Sequence, residues 1–399
     1  MEQTPIATDM QAPMAQELYE RALLSLPGGN ARSTLFVAPH PPYAARGEGC
    51  EVLDVDGHRA IDLQNNYTAL VHGHAFAPVA RAAMAALAQG SAFGLPTLSE
   101  VELAECLAAR VGWAERWRFA NSGTEAVMMA VRAARAATGR DGLLRFANCY
   151  HGSWDAVVRR GSHGVPAAAQ HDVLTLELGD EQAFVGALEE HAGRIAAVLL
   201  DPMPNRAGLR PLEPSFVRLV RDQTERHGIA LVLDEVITFR LAPGGLHTLY
   251  GIEGDLIALG KMIGGGFPVG AVGGRGGFMD VFDPRRPDAV AHGGTFSANP
   301  VTMRAGLAAL EAFGSAEIDR VNALGERLRV GLRERGWSVS GQGSLLQIQA
   351  QDPTALWWRL YEAGVLIAGN GLMCISTPMD WQTIEKTLLA FDQVGDAAR

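Results

Sequence analysis

The chain has 399 residues, 48% of them hydrophobic, enough for a large domain with a sizeable core plus a smaller one. Its formal net charge of -10 argues against a nucleic-acid binder and against an electrostatic membrane anchor. No apolar run is long enough to span a bilayer and the first residues lack a basic, then apolar, leader, so a soluble cytoplasmic protein is expected, and the scattered Cys50, Cys106, Cys149 and Cys374 indicate neither a metal site nor a disulfide framework.

In chain order, Leu18, Ala22 and Leu26 predict an N-terminal helix stopped by Pro27, Gly28 and Gly29. CEVLDV and HRAIDL alternate around Asp56 and Gly57, a hairpin signal. From about Ala75 to Asn299 helical stretches alternate with short apolar strands, at Trp117 to Ala120, Leu143 to Ala147, Ile195 to Leu200, Ala230 to Leu233, Leu256 to Leu259 and Val269 to Val272. That alternation predicts an α/β fold with a mostly parallel sheet covered by helices, and a ligand crevice beyond the carboxyl ends of its strands. After Pro300 the texture becomes that of a small α+β domain, to which the N-terminal hairpin is expected to contribute. The expected division is 1–74, 75–299 and 300–399.

Of 34 basic residues only Lys261 and Lys386 are lysines. Arginine cannot lose its proton in a protein or form a Schiff base, so a lysine kept in an arginine-writing chain is a candidate nucleophile. Lys386 lies in a helical pattern and reads as solvated; Lys261 ends an apolar run and is followed by Met262, Ile263 and three glycines. NSGTEA begins just after a strand and opens an amphipathic helix, so Ser122, Gly123 and Thr124 fall at a helix start, suited to a phosphate or serving as an ordinary N-cap. Asp234 and Glu235 close a strand, where a carboxylate needs a cationic partner, a metal ion or a structural ion pair. GDLIALGKM fails the spacing of a nucleotide-binding P-loop, and His72, His74, His151 and His292 read as turn or packing histidines. Together, an anion clamp, a strand-end Asp and a strand-end Lys are the parts that hold pyridoxal 5'-phosphate, with Tyr150 offering a face for stacking on its ring.

At these residues the chain resembles the class III aminotransferases of fold type I, through PGGNARS, NSGTEA, YHG, LDEV, LGKMIGGGFPVGAVGGR and GTFSANP. The resemblance implies that Lys261 is the Schiff-base lysine, that Ser122, Gly123 and Thr124 hold the phosphate, that Tyr150 stacks on the ring and that Asp234 pairs with its nitrogen. It further implies Val236 beneath the ring, Thr295 reaching the phosphate from a neighbouring subunit, and so a homodimer with shared sites. Two branches look similar. Glutamate-1-semialdehyde aminomutases share the PGG start and GTFSANP, whereas aromatic β-amino acid aminotransferases share ARSTLF, ARGEG with DVDGHR, the pair Tyr67 and Thr68, RLAPGGL and FDPR. Both make Arg32 a candidate for the substrate carboxylate, with Tyr67 as a second substrate-side candidate. The chain departs from the β-amino acid branch at Asn370, where that branch carries a second carboxylate-binding Arg, and from the family at Asp201, where Glu precedes Pro. The expected activity is ping-pong transamination from an amino acid or amine to a 2-oxo acid, with intramolecular transfer of the aminomutase type as the alternative.

Overall fold

The computed structural model describes residues 12–395. Helix α1 (Pro13–Leu23) begins on a proline, whose missing N–H is harmless in a first turn. Its start is capped from a distance: the Asp56 carboxylate accepts from Met14 N at 2.8 Å and Ala15 N at 2.9 Å, a favourable place for negative charge at a helix N-terminus. Asp56 and Gly57 form the turn of an antiparallel meander, β1 (Ala44–Glu48), β2 (Glu51–Asp54) and β3 (Arg59–Asp62). Gly57, with φ of +89°, takes the left-handed position such a turn needs.

Next come α2 (Ala77–Gln89), α3 (Leu98–Arg110), β4 (Arg116–Ala120), α4 (Gly123–Thr138), β5 (Gly142–Phe146), β6 (Val173–Leu176), α5 (Glu181–His191) and β7 (Ile195–Leu200). Then follow α6 (Pro214–His227), β8 (Ala230–Asp234), β9 (Leu256–Gly260), β10 (Gly270–Gly274) and α7 (Pro300–Glu311). The strands make one seven-stranded sheet in the order β4-β10-β9-β8-β7-β5-β6, parallel from β9 through β6, with β10 antiparallel to both neighbours. Every residue of β5, β7, β8, β9 and β10 is buried. Apart from Arg145 in β5 and Asp234 closing β8, these runs read as apolar stretches without a period of two: both sheet faces are covered, and each large aliphatic side chain so buried contributes about 1.5–3 kcal/mol. The edge strand β6 was not anticipated, since only part of VLTL is covered and no apolar run announces it.

In place of the expected boundary at 299/300, the compact units are Ala77–Asp319 and, separately, Met1–Phe76 with Arg320–Arg399. The difference lies in α7, whose buried Met303, Ala305, Gly306, Ala309 and Leu310 pack it with α2, α3 and the turn after β9. A side chain on Gly306 would meet Ile263 O at 2.0 Å, so glycine lets this helix lie directly on the backbone that follows Lys261. The other unit is completed by α8 (Ser315–Glu334), in which the boundary falls, then β11 (Ser338–Gln342), β12 (Leu345–Gln349), α9 (Pro353–Glu362), β13 (Val365–Leu366), β14 (Leu372–Cys374) and α10 (Trp381–Val394). β13 adds in parallel to β3, giving the order β1-β2-β3-β13, and β11-β12-β14 form an antiparallel three-stranded sheet. On α9, Trp358 Nε1 donates to Ala38 O at 2.7 Å and Tyr361 Oη to Asp54 Oδ2 at 2.8 Å, tying both chain ends into one core. No helix among the described residues is long and apolar enough to cross a membrane.

Candidate active site

Register brings the site together. Gly270, the first residue of β10, pairs with Ala120 at the end of β4 and with Gly260 at the end of β9. A Cβ on Gly270 would lie 2.0 Å from Ser122 O, so only glycine allows the start of α4 to approach this closely. Val236 bridges the same place from β8: its methyls would be 3.0 Å from a Cβ on Gly123, and its Cγ1 3.4 Å from one on Gly260. The end of β8, the end of β9 and the start of α4 thus converge in one crevice, beyond the strand ends where open α/β sheets bind ligands.

Ser122 is the N-cap of α4; its Oγ accepts from Glu125 N at 3.2 Å, while Glu125 Oε2 accepts from Asn121 N at 2.7 Å. The ordinary capping reading is therefore true of the Ser122 hydroxyl. The N–H groups of Gly123 and Thr124 find no acceptor among the described residues, leaving two donors and the positive end of a 16-residue helix. Thr124 Oγ1 accepts from Ser153 N at 3.3 Å, and Gly152, with φ of +103°, lets this loop lie against Thr124.

Asp234, the last residue of β8, is buried. Its Oδ2 is 2.7 Å from His151 Nδ1, and its Oδ1 accepts from Val236 N at 3.2 Å. An ionised carboxylate only accepts, so Nδ1 of His151 carries the proton and donates it. His151 Nε2 is buried without a hydrogen-bond partner among the described residues. The packing role expected for His151 is thus corrected: it stands behind Asp234. Its signal in the sequence was its place beside Tyr150 at the end of a predicted strand.

Lys261 follows β9 directly and has φ of +52°, a left-handed conformation that a lysine adopts only when its surroundings enforce it. Burial holds its amine below the usual lysine range, against the opposing pull of the Asp234 and Asp201 carboxylates. Glu235 turns the other way and is structural: its carboxylate receives the amides of Leu246 (2.8 Å) and His247 (2.6 Å) and lies 2.8 Å from His247 Nδ1, while Trp113 Nε1 donates to His247 Nε2 at 3.0 Å. Tyr150 has 43% of its surface exposed, and the Arg206 guanidinium lies 4.1 Å from its ring centroid.

Asp201, just beyond β7, has its carboxyl pushed well above the ordinary 3.8, first by burial and then by Asp234. A carboxyl raised in the folded state lowers stability progressively as pH climbs from the unfolded value to the folded one, because folding must retain a proton that the unfolded chain gives up. Asp201→Asn removes that penalty. In scanning calorimetry of cofactor-free protein the variant is expected to gain melting temperature over wild type, by an amount that grows as pH rises above about 4 and then levels. A gain independent of pH, or none, overturns the assignment.

Thr295 lines a cavity of about 260 Å³ with Phe93, Leu95, Thr97 and Asn299 among others. Arg32 and Tyr67 belong to the other unit. There Arg32 Nη1 donates to Asn66 Oδ1 at 3.0 Å, and the Tyr67 hydroxyl donates to Thr34 O at 2.8 Å, so it is already engaged by the backbone of the segment that follows Arg32.

The profile of the class-III aminotransferases matches residues 37–391. The chain is 41% identical to beta-phenylalanine transaminase of Variovorax paradoxus, over 95% of this chain and 92% of that one. It is 37% identical to glutamate-1-semialdehyde 2,1-aminomutase of Methanothermobacter thermautotrophicus, over 95% of this chain and 98% of the other. Among solved structures, an omega-transaminase from Sphaerobacter thermophilus matches with a TM-score of 0.91 at 42% identity, covering 95% of this chain and 97% of that chain. With a match over most of its length, the chain belongs to the class III aminotransferases.

Proposed function

We propose that this chain is a pyridoxal-phosphate-dependent aminotransferase that moves an amino group from an amino acid or amine to a 2-oxo acid in two half-reactions. One observation carries this: a lysine amine depressed by burial, acted on by the carboxylates of Asp234 and Asp201, in the crevice where α4 leaves two amides open. The residues present fit the cofactor. The amides of Gly123 and Thr124 are donors for a phosphate, with Ser122 closing the turn that presents them. Asp234, held on both oxygens by His151 and Val236 N, would be the partner of the ring nitrogen and would favour its protonated form. Val236 is the apolar floor, and Tyr150, with Arg206 on one face, offers the other for stacking. Thr295 is assigned to the phosphate of a partner subunit, in a homodimer whose face includes the exposed Phe93, Leu95, Leu98 and Phe296.

Pyridoxal phosphate supplies, when bound, an aldehyde that receives the amino group and an electron-withdrawing ring. The protein supplies the rest. Lys261 Nζ, with its proton affinity lowered, would hold the cofactor as its nucleophile and, when free, would be the base that takes a proton from the substrate carbon. Arg32 is assigned to the substrate carboxylate, and Tyr67 to holding the segment that bears it.

The identity to an aminomutase keeps intramolecular transfer as the second reading. A donor panel offered to the loaded enzyme separates the two. Amino donors are expected to convert the cofactor stoichiometrically from its aldehyde to its amine absorbance, with recovery on adding a 2-oxo acid. Turnover of glutamate-1-semialdehyde with no 2-oxo acid present, and inert behaviour towards the donors, would move the assignment to the mutase.

A further inference from the structure

Asn65, Asn66, Tyr67 and Thr68 all have positive φ, at 47, 49, 54 and 75°. They form a turn of left-handed helix without a glycine, a conformation in which L side chains crowd the following carbonyl. Such a turn persists only where its surroundings over-determine it. Here they do: Asp62 Oδ1 accepts from Gln64 N at 2.9 Å and Asn65 N at 2.7 Å, and the buried Asn65 donates through Nδ2 to Asp62 O at 2.8 Å and Cys374 O at 3.1 Å. Asp62 Oδ2 is braced in turn by His74 Nε2 at 2.7 Å.

The turn's outer side serves one segment. Tyr67 holds Thr34 O, and Asn66 Oδ1 receives Arg32 Nη1. Arg32 is exposed and has no carboxylate partner among the described residues. Its acceptor is a neutral amide, which engages one N–H and orients the guanidinium plane without cancelling its charge. A carboxylate at that position would fill the fork and neutralise it.

We propose that Asn66, set in place by the left-handed turn, is a positioning residue that aligns Arg32 for a two-pronged contact with the substrate carboxylate, and so favours carboxylate-bearing donors over simple amines. This rests on the reading of Arg32 as the carboxylate receptor. The test uses two variants chosen to keep the fold. Asn66→Asp preserves shape and tolerance of positive φ but adds a charge; Asn66→Gly deletes the acceptor and accepts positive φ freely. The loaded enzyme is titrated calorimetrically with 3-phenylpropanoate, an inert carboxylate. Half-reactions with 3-amino-3-phenylpropanoate and its carboxylate-free counterpart 1-phenylethylamine are followed by loss of the aldehyde absorbance.

Both variants are expected to raise the Kd and KM of the carboxylates about tenfold or more, with kcat changed less, 1-phenylethylamine unaffected, and Asn66→Asp at least as impaired as Asn66→Gly. A purely structural role predicts the opposite order, with the isosteric Asn66→Asp near wild type, or equal losses for both donors; either result overturns the proposal. Arg32→Ala, run alongside, separates the failures. If it leaves carboxylate affinity intact, or if wild type does not bind 3-phenylpropanoate, the Arg32 reading falls and the proposal with it. If Arg32→Ala is impaired while both Asn66 variants are not, Asn66 alone is excluded.

Discussion

Lys261→Ala is expected to abolish multiple turnover, lowering the rate by about 10⁴-fold or more, because nucleophile and proton carrier are lost together. The cofactor is still expected to bind through its phosphate and ring contacts, but borohydride treatment followed by proteolysis recovers a modified peptide containing position 261 from wild type alone. Lys386, exposed on α10, is not expected to substitute. A small added amine is expected to restore part of the proton transfer, which separates loss of the base from loss of the fold. A Lys261→Ala enzyme with normal turnover and no added amine, or a borohydride adduct on another side chain, ends the assignment.

Asp234 carries the second large effect. Asp234→Ala removes the anion proposed for the ring nitrogen and leaves the buried His151 Nδ1–H without its acceptor, alongside an Nε2 that already has none. The half-reaction is expected to slow about 10²- to 10³-fold, the range for deleting one preorganised electrostatic partner. Cofactor affinity is expected to fall about tenfold or more, as for a lost hydrogen bond to a charged group. Asp234→Asn keeps shape and most hydrogen bonding but not charge, so it should retain the cofactor better than Asp234→Ala while remaining slow. Single-turnover absorbance and equilibrium dialysis measure the two separately. Equal half-reaction rates in Asp234→Asn and wild type would show that the carboxylate's charge is not used.

Much of this site was legible because its groups are written beside strand ends. An uninterrupted apolar run such as Leu256 to Leu259 is what a strand covered on both faces requires, and Lys261, directly after the strand's last residue Gly260, is thereby placed at the ligand crevice. The same holds for Asp234 after Ala230 to Leu233 and for Ser122 to Thr124 after Trp117 to Ala120. The half-covered edge strand β6 and the serine- and glycine-containing β11 escaped, since neither has to be continuously apolar.

The sequence by itself determined most of the elements and which reactive groups end them, because burial period, caps and turn residues are local properties. Only the tertiary structure decided that His151 stands behind Asp234, that Asp201 is a carboxyl raised by burial and then by its neighbour's charge, that α7 packs with the larger unit, and that Tyr67 and Asn66 grip the Arg32 segment from a left-handed turn. Each of these depends on groups far apart in the chain meeting at hydrogen-bond or Coulombic distance. Such meetings are set by strand order, register and the clearance of single glycines such as Gly270 and Gly306, and none of these has a local signature.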